Sequence, residues 1–261
     1  MSAKVPVSVV IAARDESAQI ADCIASVSWA DEIVVVENDS VDDTVPRAVS
    51  AGATLVFSHP FHTIGAQRNA AIARARCDWI LVVDADERGT PELGDEVLRR
   101  IATAGPAEAW RVARRNFFLG REIRHGGWER DRPVRLFRRT LRYDERPVHE
   151  HVIVSRDDGT LDARLLHHPY ASLDEYFEKF NRYSRSWAAQ AHAAGRRASV
   201  WQVVMRAPAR FVTMYVVRGG WRDGAHGAVL AVLAAMSVAA KYARLWALQR
   251  GATARNAVRH G

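Results

Sequence analysis

The sequence has few cysteines and no long apolar segment at its start. Cys23 and Cys77 are the only cysteines in 261 residues, so they exclude a disulfide framework and are expected to be reduced thiols. The first residues, MSAKVPVSVVIAARDES, become charged before an apolar run reaches the length of a signal peptide. We therefore expect a chain that works in the cytoplasm.

Glycine-rich phosphate loops are also missing. The sequence contains neither GxGxxG nor GxxxxGK[ST], so it supports neither a dinucleotide site nor a P-loop. No internal repeat or low-complexity tract is visible, and the length fits one domain with a smaller appendage.

Acidic residues almost disappear from the last third of the chain. Residues 181–261 contain 13 Lys and Arg but one acid, Asp223, whereas residues 1–110 contain 9 basic and 17 acidic residues. Because 34 of the 37 basic residues are Arg, single arginines carry little information. The asymmetry predicts that the C-terminal part meets an anionic partner, either nucleic acid or a membrane surface.

The first 100 residues alternate between short apolar strands and helices. Strands are predicted at 8–13, 32–37, 53–57 and 79–83, with a helix after each of the first three. This alternation predicts an α/β fold with a mostly parallel central sheet flanked by helices. Shorter strands and loops at 105–170 are expected to complete the sheet, and helices are expected at 173–184 and from about 199 to 250.

Carboxylates follow three of the predicted strands. They are Asp15 and Glu16 after the first strand, Glu37, Asp39, Asp42 and Asp43 after the second, and Asp84, Asp86 and Glu87 after the fourth. Since open parallel sheets bind ligands beyond the carboxyl ends of their strands, this edge is the predicted site.

The segment WILVVDADE, residues 79–87, is the most informative of these. If this segment is extended, Asp84 and Asp86 share one side of the strand, and their mutual repulsion calls for a cation. Hard oxygen ligands suit Mg²⁺ or Mn²⁺, which would hold the phosphates of a nucleotide.

Taken together, the motifs resemble a known enzyme family. The landmarks are VVIAARDES (9–17), EIVVVENDSVDDT (32–44), GAQRNAAIARARCDWILVVDADE (65–87), GGWERDRPVRLFRR (126–139), VHEHV (148–152), LLHHPY to NRYS (165–184) and RGGWRDGAHG (218–227). The sequence resembles glycosyltransferase family 2 with the GT-A nucleotide-sugar fold, and within it the lipopolysaccharide-core β-1,4-glucosyltransferase group. The resemblance covers nearly the whole chain.

The resemblance implies a donor site for a UDP-sugar. Glu16 would face the nucleoside, as would Glu37 or Asp39, a choice left open because the family more often has Asp followed by Ser-Gly here. Arg68 matches a basic position near the nucleotide, and a solvated helix arginine is the alternative. Asp84 would lie near the ribose. The metal ligand implied is Asp86. His167 or His168 would supply a further metal ligand or a diphosphate contact, with His167 taken as the metal ligand, and a structural role for the pair is the alternative.

The resemblance also implies a catalytic base. Glu150 in VHEHV matches the carboxylate that would take the proton from the acceptor hydroxyl in an inverting transfer. Asp131, in a Gly-flanked loop, is the rival. His149 and His151 flank Glu150; an ordinary loop histidine is the alternative for each, and it is the favoured interpretation for His151.

We therefore predict a GT-A catalytic domain at residues 1–170 and a basic, amphipathic helical region at 171–261. The predicted reaction is metal-dependent transfer of a hexose, most simply glucose, from a UDP-sugar to a lipid-linked saccharide. The alternatives are a nucleotidyltransferase and a nucleic-acid-binding or processing protein, although no recognition helix accompanies the basic residues, so no nucleic-acid partner is expected.

The C-terminal region is predicted to bind the inner face of the cytoplasmic membrane. Residues 227–240 are uncharged but shorter than the ~20 residues that span a bilayer. Basic and aromatic residues flank them, as in helices that lie at an anionic lipid surface. The alternative is a buried core helix.

Overall fold

A computed structural model describes residues 5–146, 150–156, 158–170 and 172–259. The chain divides into two compact units, Met1–Arg115 with Arg130–His168, and Asn116–Glu129 with Pro169–Gly261. The separate roles predicted for residues 1–170 and 171–261 stay predictions.

The first unit begins with the predicted alternation of strands and helices. Its strands β1 (Val5–Ala13), β2 (Ala30–Glu37), β3 (Leu55–Ser58) and β4 (Trp79–Val82) are parallel and lie in the order β3-β2-β1-β4. The helices are α1 (Ile20–Ser26), α2 (Thr44–Ser50), α3 (Ile64–Arg74) and α4 (Pro91–Ala102). The predicted α/β fold is confirmed, and the carboxyl ends of β1, β2 and β4 lie at one edge.

The second half of the sheet is antiparallel. Strands β5 (Glu87–Arg88), β6 (Ala109–Phe118), β8 (Val134–Arg138) and β9 (Thr160–His167) extend the sheet in the order β4-β8-β6-β9-β5. Ile80 of β4 pairs with Phe137 of β8, and Glu87 of β5 pairs with His167 of β9. The sheet is therefore mixed, with its parallel part formed by the first four strands.

Both faces of the parallel strands are buried. Val9 and Ile11 belong to one apolar cluster, with Ile24 of α1 and Val97 of α4, whereas Val10 belongs to another that includes Ile72 of α3. Successive side chains point to opposite faces of the sheet, and here both faces carry apolar residues. This pattern is typical of strands covered by helices on both sides.

The second unit is mainly helical. It contains β7 (Arg121–Ile123), which pairs with the last residues of β6, and the helices α5 (Leu173–Ala193), α6 (Val200–Phe211) and α7 (Gly224–Arg259). A π-helical turn, Val212–Val217, and a 3-10 turn, Gly220–Asp223, connect α6 to α7. The predicted helices are present, and α5 continues past Ser184 to Ala193.

One face of α7 forms part of a core. Leu230, Ala231 and Leu233 are buried in a cluster with Phe118 and Met214, whereas Val229, Val232 and Met236 are exposed. The stretch Gly220–Gly251 is long and apolar enough to cross a membrane, with a mean hydropathy of 1.6. Of an apolar 18-residue segment within it, 22% is buried.

Candidate active site

The loops after β1 and β2 are joined by hydrogen bonds. The Glu16 amide donates to Thr44 Oγ1 at 2.8 Å, and the Ser17 amide donates to Asp42 Oδ2 at 3.0 Å. Burial opposes ionisation of Asp42, but hydrogen bonds from Thr44 and Ser17 lower its pKa to about 2. These bonds hold Glu16 beside the loop that carries Glu37 and Asp39.

Glu37 and Asp39 differ in their surroundings. Glu37 is buried at the end of β2, and its Oε2 accepts a hydrogen bond of 3.0 Å from the Ser40 amide. Asp39 is exposed and has a φ of 50°, in the left-handed region that Asp tolerates better than most residues. Glu37 therefore supports the loop from within, while Asp39 is accessible on it.

Three arginines surround the carboxylate of Asp84. Arg68 and Arg135 both bind it closely, and Arg114 Nη2 lies 2.9 Å from Asp84 Oδ2. Burial opposes ionisation, but Arg135, Arg68 and Arg114 hold the pKa of Asp84 well below its usual range. Asp84 is consequently ionised and fixed in position.

Glu87 provides a second buried acid for the same arginines. Its side chain is completely buried, and its Oε2 accepts a hydrogen bond of 2.8 Å from the Asp84 amide. Its Oε1 binds Arg114 and Arg135. Because Asp84 and Glu87 oppose the guanidinium charges, the pKa values of Arg114 and Arg135 are raised despite their burial. The network is an extended ion cluster, which stabilises more than an isolated exposed pair.

The two candidate bases are each held by one of these arginines. Glu150 Oε1 lies 2.7 Å from Arg68 Nη1, and Asp131 Oδ2 binds Arg114 Nη1. The Glu150 side chain is 16% exposed and that of Asp131 is 45% exposed. Both carboxylates are thus oriented, and Glu150 is the more enclosed.

Packing of α3 against the segment before Glu150 fixes the position of Arg68. The α3 residue Asn69 exchanges two hydrogen bonds of 2.9 Å with the backbone of Tyr143. A Cβ added at Gly65 would lie 2.3 Å from the backbone oxygen of Asp144, so only glycine permits this approach. Tyr143 bridges to Val152, which brings Glu150 back towards α3. Residues 147–149, including His149 of the VHEHV motif, lie outside the described residues.

Asp86 and His167 meet beside β5 and β9. His167 Nε2 lies 3.6 Å from Asp86 Oδ2, and the His168 amide donates to the Asp86 carbonyl oxygen at 2.8 Å. Burial, Arg88 and His167 together lower the pKa of His168, which favours its neutral form. The carboxylate of Asp86 suits Mn²⁺ or Mg²⁺, whereas the imidazole of His167 suits transition metals and so fits Mn²⁺ better than Mg²⁺.

This pair would complete a metal site only with ligands from a substrate. Across the described ranges, no three His, Cys, Asp or Glu side chains converge to hold an ion. Mg²⁺ bound to nucleotides usually takes one or two protein carboxylates together with phosphate oxygens and water. The residues present therefore fit a metal that arrives with a diphosphate.

A cavity of about 690 Å³ lies over the ion cluster. Asp84, Glu150 and Asp131 all line it, and its other charged lining residues are Arg68, Arg111, Arg114, Arg132 and Arg135. Its volume is typical of a small-ligand site. The described lining residues do not include Glu16, Glu37, Asp39, Asp86 or His167, so Asp84 and Arg68 are the two predicted nucleotide residues that also face this cavity.

Sequence reasoning overlooked the roles of Arg114 and Arg135. Each lies next to a buried apolar residue in its strand: Arg114 follows Ala113 in β6, and Arg135 precedes Leu136 in β8. An arginine within an apolar strand is a signal for a buried ion pair, because an unpaired buried charge is very unfavourable. With 34 arginines in the chain, this pattern does not distinguish Arg114 and Arg135 from the others.

The sequence is similar to those of known glycosyltransferases. The sequence model described as "Glycosyl transferase family 2" matches residues 8–156. The lipopolysaccharide core biosynthesis glycosyltransferase LpsC of Rhizobium meliloti (strain 1021) is 30% identical over 243 residues, which are 90% of this chain and 90% of that protein. The uncharacterized glycosyltransferase RP128 of Rickettsia prowazekii (strain Madrid E) is 26% identical, over 92% of this chain and 86% of the relative.

Two solved structures also align with part of the chain. Glucosyl-3-phosphoglycerate synthase from Mycobacterium tuberculosis, in complex with Mn²⁺, UDP and glucosyl-3-phosphoglycerate, is 26% identical with a TM-score of 0.36, over 42% of this chain and 43% of that one. Mannosyl-3-phosphoglycerate synthase from Rubrobacter xylanophilus is 28% identical with a TM-score of 0.38, over 42% and 40%. These alignments span less than half of each solved chain.

Proposed function

The chain belongs to glycosyltransferase family 2, and on that premise we propose that it is an inverting, metal-dependent enzyme. It would transfer a hexose, most simply glucose, from a UDP-sugar to a lipid-linked saccharide. The observation that carries this proposal is that Asp84, Glu150 and Asp131 line one cavity at the carboxyl edge of the parallel strands.

The donor would bind along the loops that follow β1, β2 and β4. Glu16, with Glu37 or Asp39, would contact the nucleoside, and Asp84 would lie near the ribose, where Arg68, Arg114 and Arg135 hold its carboxylate in place. Asp86 and His167 would hold Mg²⁺ or Mn²⁺. The bound metal would neutralise the charge that develops on the leaving diphosphate.

Glu150 would act as the catalytic base. In an inverting transfer, the acceptor hydroxyl attacks the anomeric carbon as the bond to the diphosphate breaks, and one carboxylate removes the hydroxyl proton. Such a base contributes ~10²–10⁴-fold to the rate. Glu150 is held by Arg68, which also binds Asp84, and this supports its placement between the donor and acceptor. Asp131, bound to Arg114 at the same cavity, is the alternative base.

The acceptor and the location are proposed from the relatives and the charge distribution. The similarity to a lipopolysaccharide core biosynthesis glycosyltransferase supports a saccharide of the cell envelope as acceptor. The 13 basic residues of 181–261, opposed by one acid, support attachment to the anionic inner face of the cytoplasmic membrane. The enzyme would be peripheral there and would meet its acceptor at that surface.

The decisive experiment is a screen of nucleotide sugars with the full chain. Release of UDP would be measured with each UDP-sugar, with and without a lipid extract as acceptor, and in the presence of Mn²⁺, Mg²⁺ or EDTA. We expect acceptor-dependent release of UDP that EDTA abolishes. Release of pyrophosphate from a nucleoside triphosphate instead would favour the nucleotidyltransferase alternative.

A further inference from the structure

We propose that an apolar face on α6 and the following π-helical turn is the surface that binds an anionic bilayer. This docking face consists of Trp201, Val204, Met205, Val212, Val216 and Val217. The proposal rests on the proposed function in one respect, because a lipid-linked acceptor gives the enzyme a reason to bind a membrane.

The residues of the docking face lie on one side of a helix. Positions 204, 205, 208 and 212 follow position 201 by 3, 4, 7 and 11 residues, which places them along a single stripe. The stripe is exposed, since Trp201 is 69% and Val217 is 75% accessible. A tryptophan with neighbouring aliphatic side chains is typical of helices that lie in the membrane interface.

The opposite side of α6 is already occupied. Arg206 stacks over the ring of Tyr242 in α7, and the backbone of Ala198 exchanges two hydrogen bonds with the side chain of Gln249. Ser199 and Gln202 form a capping box, so the helix begins firmly. No residue of α6 is buried. Four of its apolar side chains are exposed, namely those of Val200, Trp201, Val204 and Met205. A helix fixed along one side with an exposed apolar stripe has a surface that an additional partner would cover.

Charge identifies that partner as an anionic surface. The one acid between residues 181 and 261, Asp223, is buried and accepts hydrogen bonds from the Arg124 and His125 amides and from His125 Nδ1. The exposed charged side chains between residues 181 and 251 are therefore basic, and they include Arg196, Arg197 and Arg222. A second copy of the chain would have to bring these like charges together, whereas anionic lipids neutralise them.

The docking face differs from the segment 227–240, around which the sequence predicted the membrane contact. Residues 227–240 are uncharged, but Leu230, Ala231 and Leu233 within them are buried in the core of the second unit. Part of that segment is consequently unavailable to lipid. The exposed apolar residues of α6 are not part of that core, so the proposed membrane contact lies on α6 and the turn after it.

The test is vesicle flotation of the full chain without donor or acceptor. Trp201→Ser combined with Val204→Ser removes the centre of the docking face, and Val49→Ser combined with Leu98→Ser removes two exposed apolar side chains of the first unit as a matched control. We expect the wild type and the control to float with phosphatidylglycerol vesicles at low salt. The docking-face variant should bind at least ~10-fold more weakly. Binding of UDP to each variant, measured by calorimetry, reports separately on the donor site and on folding.

Several outcomes would overturn the proposal. One is a docking-face variant that floats as well as wild type, and another is binding that is equal on neutral phosphatidylcholine vesicles. A third is a wild-type dimer, seen by light scattering, that the docking-face variant alone disrupts without vesicles. Resistance of the vesicle-bound protein to alkaline carbonate would instead indicate that α7 spans the bilayer. If the wild type does not bind UDP, the proposed function is contradicted, while the flotation result can still be interpreted.

Discussion

Arg68 Nη1 lies 2.7 Å from Glu150 Oε1, which joins a helix of the parallel half of the sheet to the proposed base. The same guanidinium binds Asp84 through Nη2, so one side chain orients both a residue of the proposed donor site and the proposed base. A guanidinium is suited to this bridge because its N–H groups are fixed in a planar fork. The two carboxylates therefore keep a defined separation before any substrate binds.

The first prediction concerns the identity of the base. Glu150→Gln still accepts a hydrogen bond from Arg68 but cannot take up a proton, so we expect kcat to fall by ~10²–10⁴-fold. Affinity for the UDP-sugar should change little. Steady-state kinetics and calorimetric titration with UDP would measure the two effects. Asp131→Asn is the matched control, and if it reproduces the loss while Glu150→Gln does not, Asp131 is the base.

The edge of the sheet that forms the site could be predicted because it depends on local patterns. The strands β1, β2 and β4 are short apolar runs that acids follow directly, and a parallel sheet brings their carboxyl ends to one edge. Residues far apart in the sequence thus became neighbours by topology alone. The family motifs then supplied the chemistry of Asp84, Asp86 and Glu150.

The arginine contacts of Asp84 could not be predicted in the same way. Arg114 lies 30 residues and Arg135 51 residues after Asp84, on strands of the antiparallel half. The register that places them there is set by side-chain packing, such as the pairing of Ile80 with Phe137. For the C-terminal helices, periodicity identified apolar faces but did not distinguish the face of α7 that packs inside the second unit from the exposed face of α6.

The second prediction concerns the buried ion cluster. Arg135→Leu leaves Asp84 and the fully buried Glu87 without a major counter-ion, so we expect the free energy of unfolding to fall by ~3–5 kcal/mol. Urea denaturation would measure it. Arg132→Leu, at an exposed arginine of the same cavity, should change stability by about 0.5 kcal/mol or less. Equal effects of the two substitutions would show that Arg135 is not a structural charge.

The third prediction concerns the approach of α3 to the segment before Glu150. Gly65→Ala places a methyl group 2.3 Å from the Asp144 oxygen, so the backbone must move. Such overpacking costs ~1–3 kcal/mol. Because Arg68 is one turn along α3, we also expect kcat to decrease. Thermal unfolding and kinetics would measure both effects, and wild-type stability in this variant would contradict the close approach.

The fourth prediction concerns acid denaturation. The pKa of Asp42 is lowered from 3.8 to about 2 in the folded chain, despite its desolvation, by hydrogen bonds from Thr44 and Ser17. A carboxyl with a depressed pKa stabilises the fold fully above its unfolded pKa, and this contribution is lost as the pH falls through the folded pKa. Stability measured by urea denaturation should therefore fall between about pH 4 and about pH 2. Asp42→Asn should be less stable at neutral pH and should lose less over that interval, whereas an unchanged slope would show that Asp42 is not responsible.

The last prediction concerns the metal. Asp86→Ala should abolish transfer while leaving the fold intact, because the carboxylate that would hold the cation against the diphosphate is removed. His167→Ala should raise the concentration of Mn²⁺ needed for half-maximal rate, since His167 Nε2 lies 3.6 Å from Asp86 Oδ2 and would provide a second ligand. Electron paramagnetic resonance of Mn²⁺ in the presence of UDP gives a readout that does not depend on turnover, and we expect both variants to bind less Mn²⁺ than wild type. His151→Ala, at an exposed histidine that lines the cavity over the ion cluster, is the matched control and should bind Mn²⁺ normally. An Asp86→Ala variant that keeps full activity in excess EDTA would show that the transfer needs no metal, because neither the carboxylate nor the cation would then contribute to the departure of the diphosphate.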